Sequence, residues 1–224
     1  MKNISAKNYL LFILCSLIFI VSFIGCGKDD GIDLSGTASS ELERLGWQAF
    51  QNNNFSNAEM YFNELTKRDE HYYLVGHGGL GWTFLKTHQY SNSRNEFRKF
   101  FDLDTLNIYV PADSLTRDVR AGQTIVHSAT LDHNRVLEFS NGFIANNNTN
   151  NNWRFRYDRT ITVADVRLMR AVSQIALANF ADAYAMVRLI DPTFETDINT
   201  VEGRIVLVRK IEEMILDRVG YILY

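Results

Sequence analysis

The chain has 224 residues, of which 46% are hydrophobic and 22% charged, the balance of an ordinary globular protein. Its formal net charge of -3 argues against a nucleic-acid binder. Only two prolines occur, which suits helices, and the length allows one domain or two small ones. The first element stands apart from the fold. Lys2 and Lys7 make a basic start, and residues 9–24 are almost wholly apolar and carry no charge, the pattern of a secretory signal. The run is short for a spanning helix, which takes about 20 residues.

Phe23-Ile24-Gly25-Cys26 then places a small residue directly before a cysteine. This resembles the lipobox of bacterial lipoproteins, with Phe23 where that family usually has leucine. The resemblance implies cleavage before Cys26, acylation of its sulfur and new amino terminus, and a chain held to membrane lipid. Each buried methylene of an acyl chain contributes about 0.8 kcal/mol, so several chains hold firmly. Residues 1–25 form the expected signal peptide. Residues 26–40, rich in small and polar side chains, form a flexible tether. Cys15 leaves with the signal, so the mature chain has no free thiol, disulfide or cysteine metal site.

From Glu41 the chain repeats itself. Leu45-Gly46-Trp47 answers Leu80-Gly81-Trp82, Phe55-Ser56-Asn57 answers Tyr90-Ser91-Asn92, and Phe62 answers Phe97. A fixed period of this size marks stacked helical hairpins. Gly46 lets the paired helix approach, and Ala58 does the same from the other side. Ser56 with Glu59 three residues on reads as a capping box. These residues resemble the tetratricopeptide repeat: a leucine-glycine pair, an aromatic at the turn (Phe55, Tyr90), a small residue (Ala58, Ser93), then Phe62 or Phe97. The direct match covers residues 41–104 and places hairpins at about 41–68 and 74–104. Gly76-His77-Gly78-Gly79 lacks the lysine of a phosphate cradle and reads as a hairpin connection and helix start.

Residues 113–145 read as a third, worn hairpin, with Leu115, Val119, Gly122, Val126 and Ala129 on one face. A β insertion is the competing reading, helped by Arg135–Phe139 and by Trp153-Arg154-Phe155-Arg156-Tyr157. Asn146–Asn152 is an asparagine-rich loop. Residues 153–162 alternate aromatic with charged residues and are expected to form an extended surface strap, or alternatively a docking strip for an acidic partner. Thr162, with Asp165 in the first turn, starts a fourth hairpin over 163–190, with Phe180 at its turn and Ala183 in the small slot. Val201, Ile205, Val208, Ile211, Ile215 and Val219 mark a capping helix over 200–219, which seals the end of a stack. The expected fold is therefore all-α: a tetratricopeptide-like helical-hairpin solenoid over 41–224 with a C-terminal capping helix.

Candidate sites follow from this architecture. Trp47 and Trp82 stand one helical step from the face that meets the partner helix. By resemblance that step points into the concave groove, with Glu43, Gln51 and Lys86 flanking. The competing reading packs both rings between repeats. The five histidines show no metal spacing, and no nucleophile elbow, P-loop or dinucleotide fingerprint occurs. The expectation is a non-enzymatic scaffold without cofactor or metal. It would be lipid-anchored through Cys26 in the bacterial cell envelope, at the outer membrane, and bind an unknown envelope protein or peptide. The alternative is a surface lipoprotein that captures a small ligand or glycan.

Overall fold

The glycine and phenylalanine periodicity translates into one packing device used twice. The computed structural model describes residues 33–105, 113–144 and 152–218. Expectations for the signal, Cys26, the Pro111 loop and most of the asparagine loop lie outside them. Nine helices occur among the described residues. They are α1 Ser39–Gln51, α2 Phe55–Leu65, α3 Glu70–Lys86, α4 Tyr90–Thr105, α5 Asp113–Ala129, α6 His133–Ile144, α7 Val163–Ala176, α8 Phe180–Ile190 and α9 Val201–Leu216. Residues 113–144 are thus helical, and the β insertion is ruled out. The only β pairing among the described residues is one isolated antiparallel bridge between Arg154 and Thr162.

Phe62 of α2 is fully buried. A Cβ on Gly46 of its own hairpin would lie 2.7 Å from the Phe62 ring, and one on Gly79 of the next hairpin 2.4 Å. Phe97 of α4 is held the same way, with Gly81 and Gly122 each 2.4 Å from its ring by the same measure. The missing side chains are therefore the sockets that lock one hairpin to the next. In the small slot, Ala58 is fully buried, and Ser93 donates its hydroxyl to the Gly81 carbonyl at 2.8 Å.

Each helix packs on its neighbour in sequence from α1 to α9. In addition α1 meets α3, α3 meets α5, and α5 meets α7, whereas α2, α4 and α6 have no comparable mutual packing. The odd-numbered helices therefore form a tighter inner layer and the even-numbered ones an outer layer, the arrangement of a helical-repeat stack. At the far end Leu168, Ala171, Ala183, Val187, Leu207, Ile211 and Met214 close a core between α7, α8 and α9.

Three local expectations are corrected. Gly76–Gly79 are not a connection: α3 begins at Glu70 and runs straight through them. A Cβ on Gly76 would sit 2.8 Å from the Phe62 carbonyl and the Thr66 amide, so close backbone packing outweighs their poor helix propensity. The cap of α2 is Asn54, which accepts from the Asn57 amide, rather than Ser56. In α9 the buried stripe is Gly203, Leu207, Ile211 and Met214, while Val201 and Ile205 are 67% and 47% exposed. Gly203 abuts the Asp197 carbonyl, where a Cβ would come within 1.9 Å, and this contact fixes the rotation of the helix. The cap of α7 matches its sequence reading in its acidic half: the Thr162 amide donates to Asp165 Oδ2 at 2.6 Å.

Candidate functional site

Trp47 and Trp82 are presented by the inner-layer helices α1 and α3, one repeat apart, as their spacing predicts. Neither is open to solvent: they are 5% and 1% exposed. Their cover is the chain's own segment 153–162. Phe155 is fully buried and stacks on Trp82, with centroids 4.0 Å apart and planes at 17°. Its edge also meets Trp47 and Phe50. Tyr157 lies flat on Trp47 at 3.7 Å and 3°. Trp47 also meets Phe62 edge-on at 4.7 Å, and Trp82 meets Phe97 edge-on at 5.9 Å. The tryptophans are therefore not a bare groove: each packs on an inter-repeat phenylalanine, as the competing reading has it, and each is covered by the chain's own turn segment.

The segment is a narrow hairpin. The Phe155 amide donates to the Ile161 carbonyl at 2.9 Å, and the Val163 amide to the Trp153 carbonyl at 3.1 Å. The expectation of an extended strap over 153–162 is corrected: the Asp158 amide donates to the Phe155 carbonyl at 3.2 Å and the Ile161 amide to the Asp158 carbonyl at 3.1 Å, so two tight turns lie between the bridged ends. Phe155 and Tyr157 face the helices, and Arg154 and Arg156 are exposed. Lys86 Nζ grips Asp158 Oδ2 at 2.6 Å. Burial of Asp158 opposes its charge, but Lys86 and the Thr160 hydroxyl outweigh that and hold its carboxyl below the usual range. At the other end Trp153 packs edge-on against Phe143 of α6 and donates Nε1–H to Asp118 Oδ1 of α5 at 3.0 Å. Burial pushes Asp118 up to about 6, against the pull of Trp153 and Arg156. The strap thus touches α1, α3, α5 and α6.

The remaining expected groove residues divide. Lys86 joins the site as the clamp on Asp158. Glu43 is partly buried and lies near enough to Tyr157 that its charge, after burial itself, raises the phenol. Gln51, in the last turn of α1, is exposed and apart from these contacts. Sequence reading placed the strap against the helices without seeing which helices. The alternating aromatic pattern was the signal, but nothing in it names Trp47 and Trp82 as its counterparts.

One polar group on the floor is left over. The Trp82 Nε1–H is buried and has no hydrogen-bond partner among the described residues. Its own strap covers that indole with a phenyl ring, which supplies no acceptor. Among the described residues no group of three or more His, Cys, Asp or Glu is placed to hold a metal ion. No helix among them is long and apolar enough to cross a membrane. Comparison with protein-family models, with curated proteins and with solved structures finds no match.

Proposed function

We propose that the protein is a lipid-anchored scaffold of the bacterial cell envelope, at the outer membrane, without enzymatic activity. Acylated Cys26 would hold it to the bilayer, and residues 27–38 would let the helical stack, which begins at Ser39, stand off the lipid. The helical stack resembles tetratricopeptide repeats, and its inner groove, floored by Trp47 and Trp82 and edged by Glu43 and Lys86, would bind a segment of a partner protein. The observation that carries this reading is the occupant the groove already has. Residues 155–158 cover it as a tight turn, with aromatic rings on the tryptophans and an acid on a lysine clamp, contacts that a partner's aromatic turn could take over.

The chemistry of the partner follows from that occupant: alternate aromatic residues followed by an acidic one. A segment tethered in the same chain acts at an effective concentration on the order of millimolar. A partner must outcompete it, and the unpaired Trp82 Nε1–H gives it a way. A segment that offered an acceptor there would relieve a buried unsatisfied donor, worth about 1–3 kcal/mol.

Two experiments test the proposal. Cys26→Ser should leave a longer precursor without acyl label, and an unchanged size with label retained contradicts the anchor. For the groove, native chain would be compared with a strap-weakened Tyr157→Ala, Asp158→Ala variant in capture from detergent-solubilised membranes. The same variant carrying Lys86→Glu is the third sample. The strap-weakened chain should enrich one envelope protein over native, and Lys86→Glu should lose it. Identical captures from all three would contradict binding through this groove.

A further inference from the structure

A second concavity shares none of its lining residues with the strap contacts. Helices α4, α5 and α6 enclose a cleft of about 490 Å³. Its wall is aromatic. His127 stacks on Phe139 at 16° between planes, and Phe139 in turn lies nearly parallel to Phe101. Deep in it sits Gln123, 3% exposed, whose Oε1 has no hydrogen-bond partner among the described residues. His127 Nδ1 is also unsatisfied. It lies 3.4 Å from Asp132 Oδ2, close enough for charge to act but too poorly directed for a hydrogen bond.

The rim is cationic, on a chain whose net charge is negative. Arg135 is matched by Glu138 at 2.6 Å, so these two cancel. Arg94 and Arg98 have no acidic partner among the described residues, and Arg98 only donates to Asn95. Two guanidiniums therefore face a cleft with nothing to neutralise them. A buried acceptor without a donor is costly, and native proteins rarely keep one without a reason.

The three features ask for one ligand. It needs an anionic group for Arg94 and Arg98, an apolar face for Phe139 and Phe101, and a hydrogen-bond donor for Gln123 Oε1. Unsubstituted benzoate has the first two and lacks the third. A free phosphate has only the first. A sugar ring has an apolar C–H face and hydroxyl donors on its edge, and a carboxylate completes the set. We propose that the α4–α5–α6 cleft is a binding site for an acidic sugar, with the carboxylate on Arg94 and Arg98 and a ring hydroxyl donating to Gln123 Oε1. This goes beyond the scaffold reading and does not depend on the groove.

The test is calorimetric titration of the full chain in detergent with glucuronate, and with glucose, benzoate and inorganic phosphate as comparisons. Glucuronate should bind saturably and about tenfold or more tighter than any of the three, the scale of one lost charge-assisted hydrogen bond. Arg94→Gln and Gln123→Leu should each weaken it by about the same factor. Gln123→Leu removes an unsatisfied buried group at similar volume, so the variant should keep its native melting temperature. Equal binding of benzoate or phosphate overturns the sugar assignment. Absence of glucuronate binding, or binding unchanged in both variants, overturns the site.

Discussion

Phe155→Ala removes the ring that locks the strap into the groove. The side chain is fully buried and contacts four aromatic rings: stacked on Trp82 and edge-on to Trp47, Phe50 and Tyr157. A buried Phe→Ala change costs about 3–5 kcal/mol through lost transfer energy and the cavity left behind. Each aromatic pair adds roughly 0.5–1.5 kcal/mol beyond area. The strap is a two-point tether, anchored by Trp153 on Asp118 and by Asp158 on Lys86, so it cannot collapse freely into the gap. The expectation is therefore a loss of about 3–5 kcal/mol, within a total of the order of 5–15 kcal/mol. Urea unfolding followed by circular dichroism measures it, with tryptophan emission reporting the newly wetted indoles. Arg156→Ala on the same strap is the control: its side chain is 54% exposed and it should cost less than about 1 kcal/mol. A loss below about 1 kcal/mol for Phe155→Ala, with unchanged emission, would refute the claim that this ring seats the strap.

Other consequences follow from the same contacts. Gly81→Ala gains about 1 kcal/mol in helix propensity but drives a Cβ to 2.4 Å from the Phe97 ring, an overpacking worth about 1–3 kcal/mol, so thermal unfolding should show net destabilisation. Asp118 titrates at about 6 in the folded chain against an ordinary 3.8, so the folded form binds more protons between these values. Its contribution to stability is therefore fully present below about pH 4 and lost as pH rises through about 6. Asp118→Asn, which still accepts from Trp153, should remove that loss, at most about 3 kcal/mol, and the difference between the two stability profiles across pH 4–7 reads it directly. His77 Nδ1 lies 2.5 Å from a buried Glu96 oxygen, with Lys99 on the second carboxylate oxygen. His77→Leu should cost about 1–3 kcal/mol by leaving the first oxygen unpartnered while Lys99 holds the second, and the His77→Leu, Glu96→Leu double variant should recover part of it in a double-mutant cycle.

The part of the fold that was legible in the sequence is the part written in residue type. Gly46 and Gly81 are sockets because they lack a side chain, and Phe62 and Phe97 fill them because they are large, so the period could be read directly. Gly76–Gly79 misled for the opposite reason. Their propensity argues against helix, and only the close approach of Phe62 and Thr66 reverses it. In α9 two stripes have helical spacing, Val201–Ile205–Val208 and Gly203–Leu207–Ile211. Hydrophobicity favours the first, and the Asp197 backbone beside Gly203 selects the second. The groove was half legible. Trp47, Trp82 and Lys86 stand where the repeat spacing puts them. That residues from more than 70 positions later lie over them is a long-range fact no local pattern carries. The α4–α5–α6 cleft was wholly illegible, since Arg94, Gln123 and Phe139 come from three helices and share no motif.

If the tryptophan groove binds aromatic segments and the strap is its resident ligand, a groove emptied of the strap should accept the same segment in trans. The chain to use is full-length, with Phe155, Arg156, Tyr157 and Asp158 replaced by glycine and serine and helical content checked by circular dichroism. A synthetic peptide with the sequence of residues 152–160 is then titrated into it, and tryptophan emission from Trp47 and Trp82 is followed. Saturable binding to the replaced chain is expected, with far weaker binding to the native chain, whose groove is filled, and none when the peptide's phenylalanine and tyrosine are alanine. A replaced chain that keeps its helices and binds no peptide would contradict it. A replaced chain that cannot fold would contradict it equally, because the strap would then be permanent core.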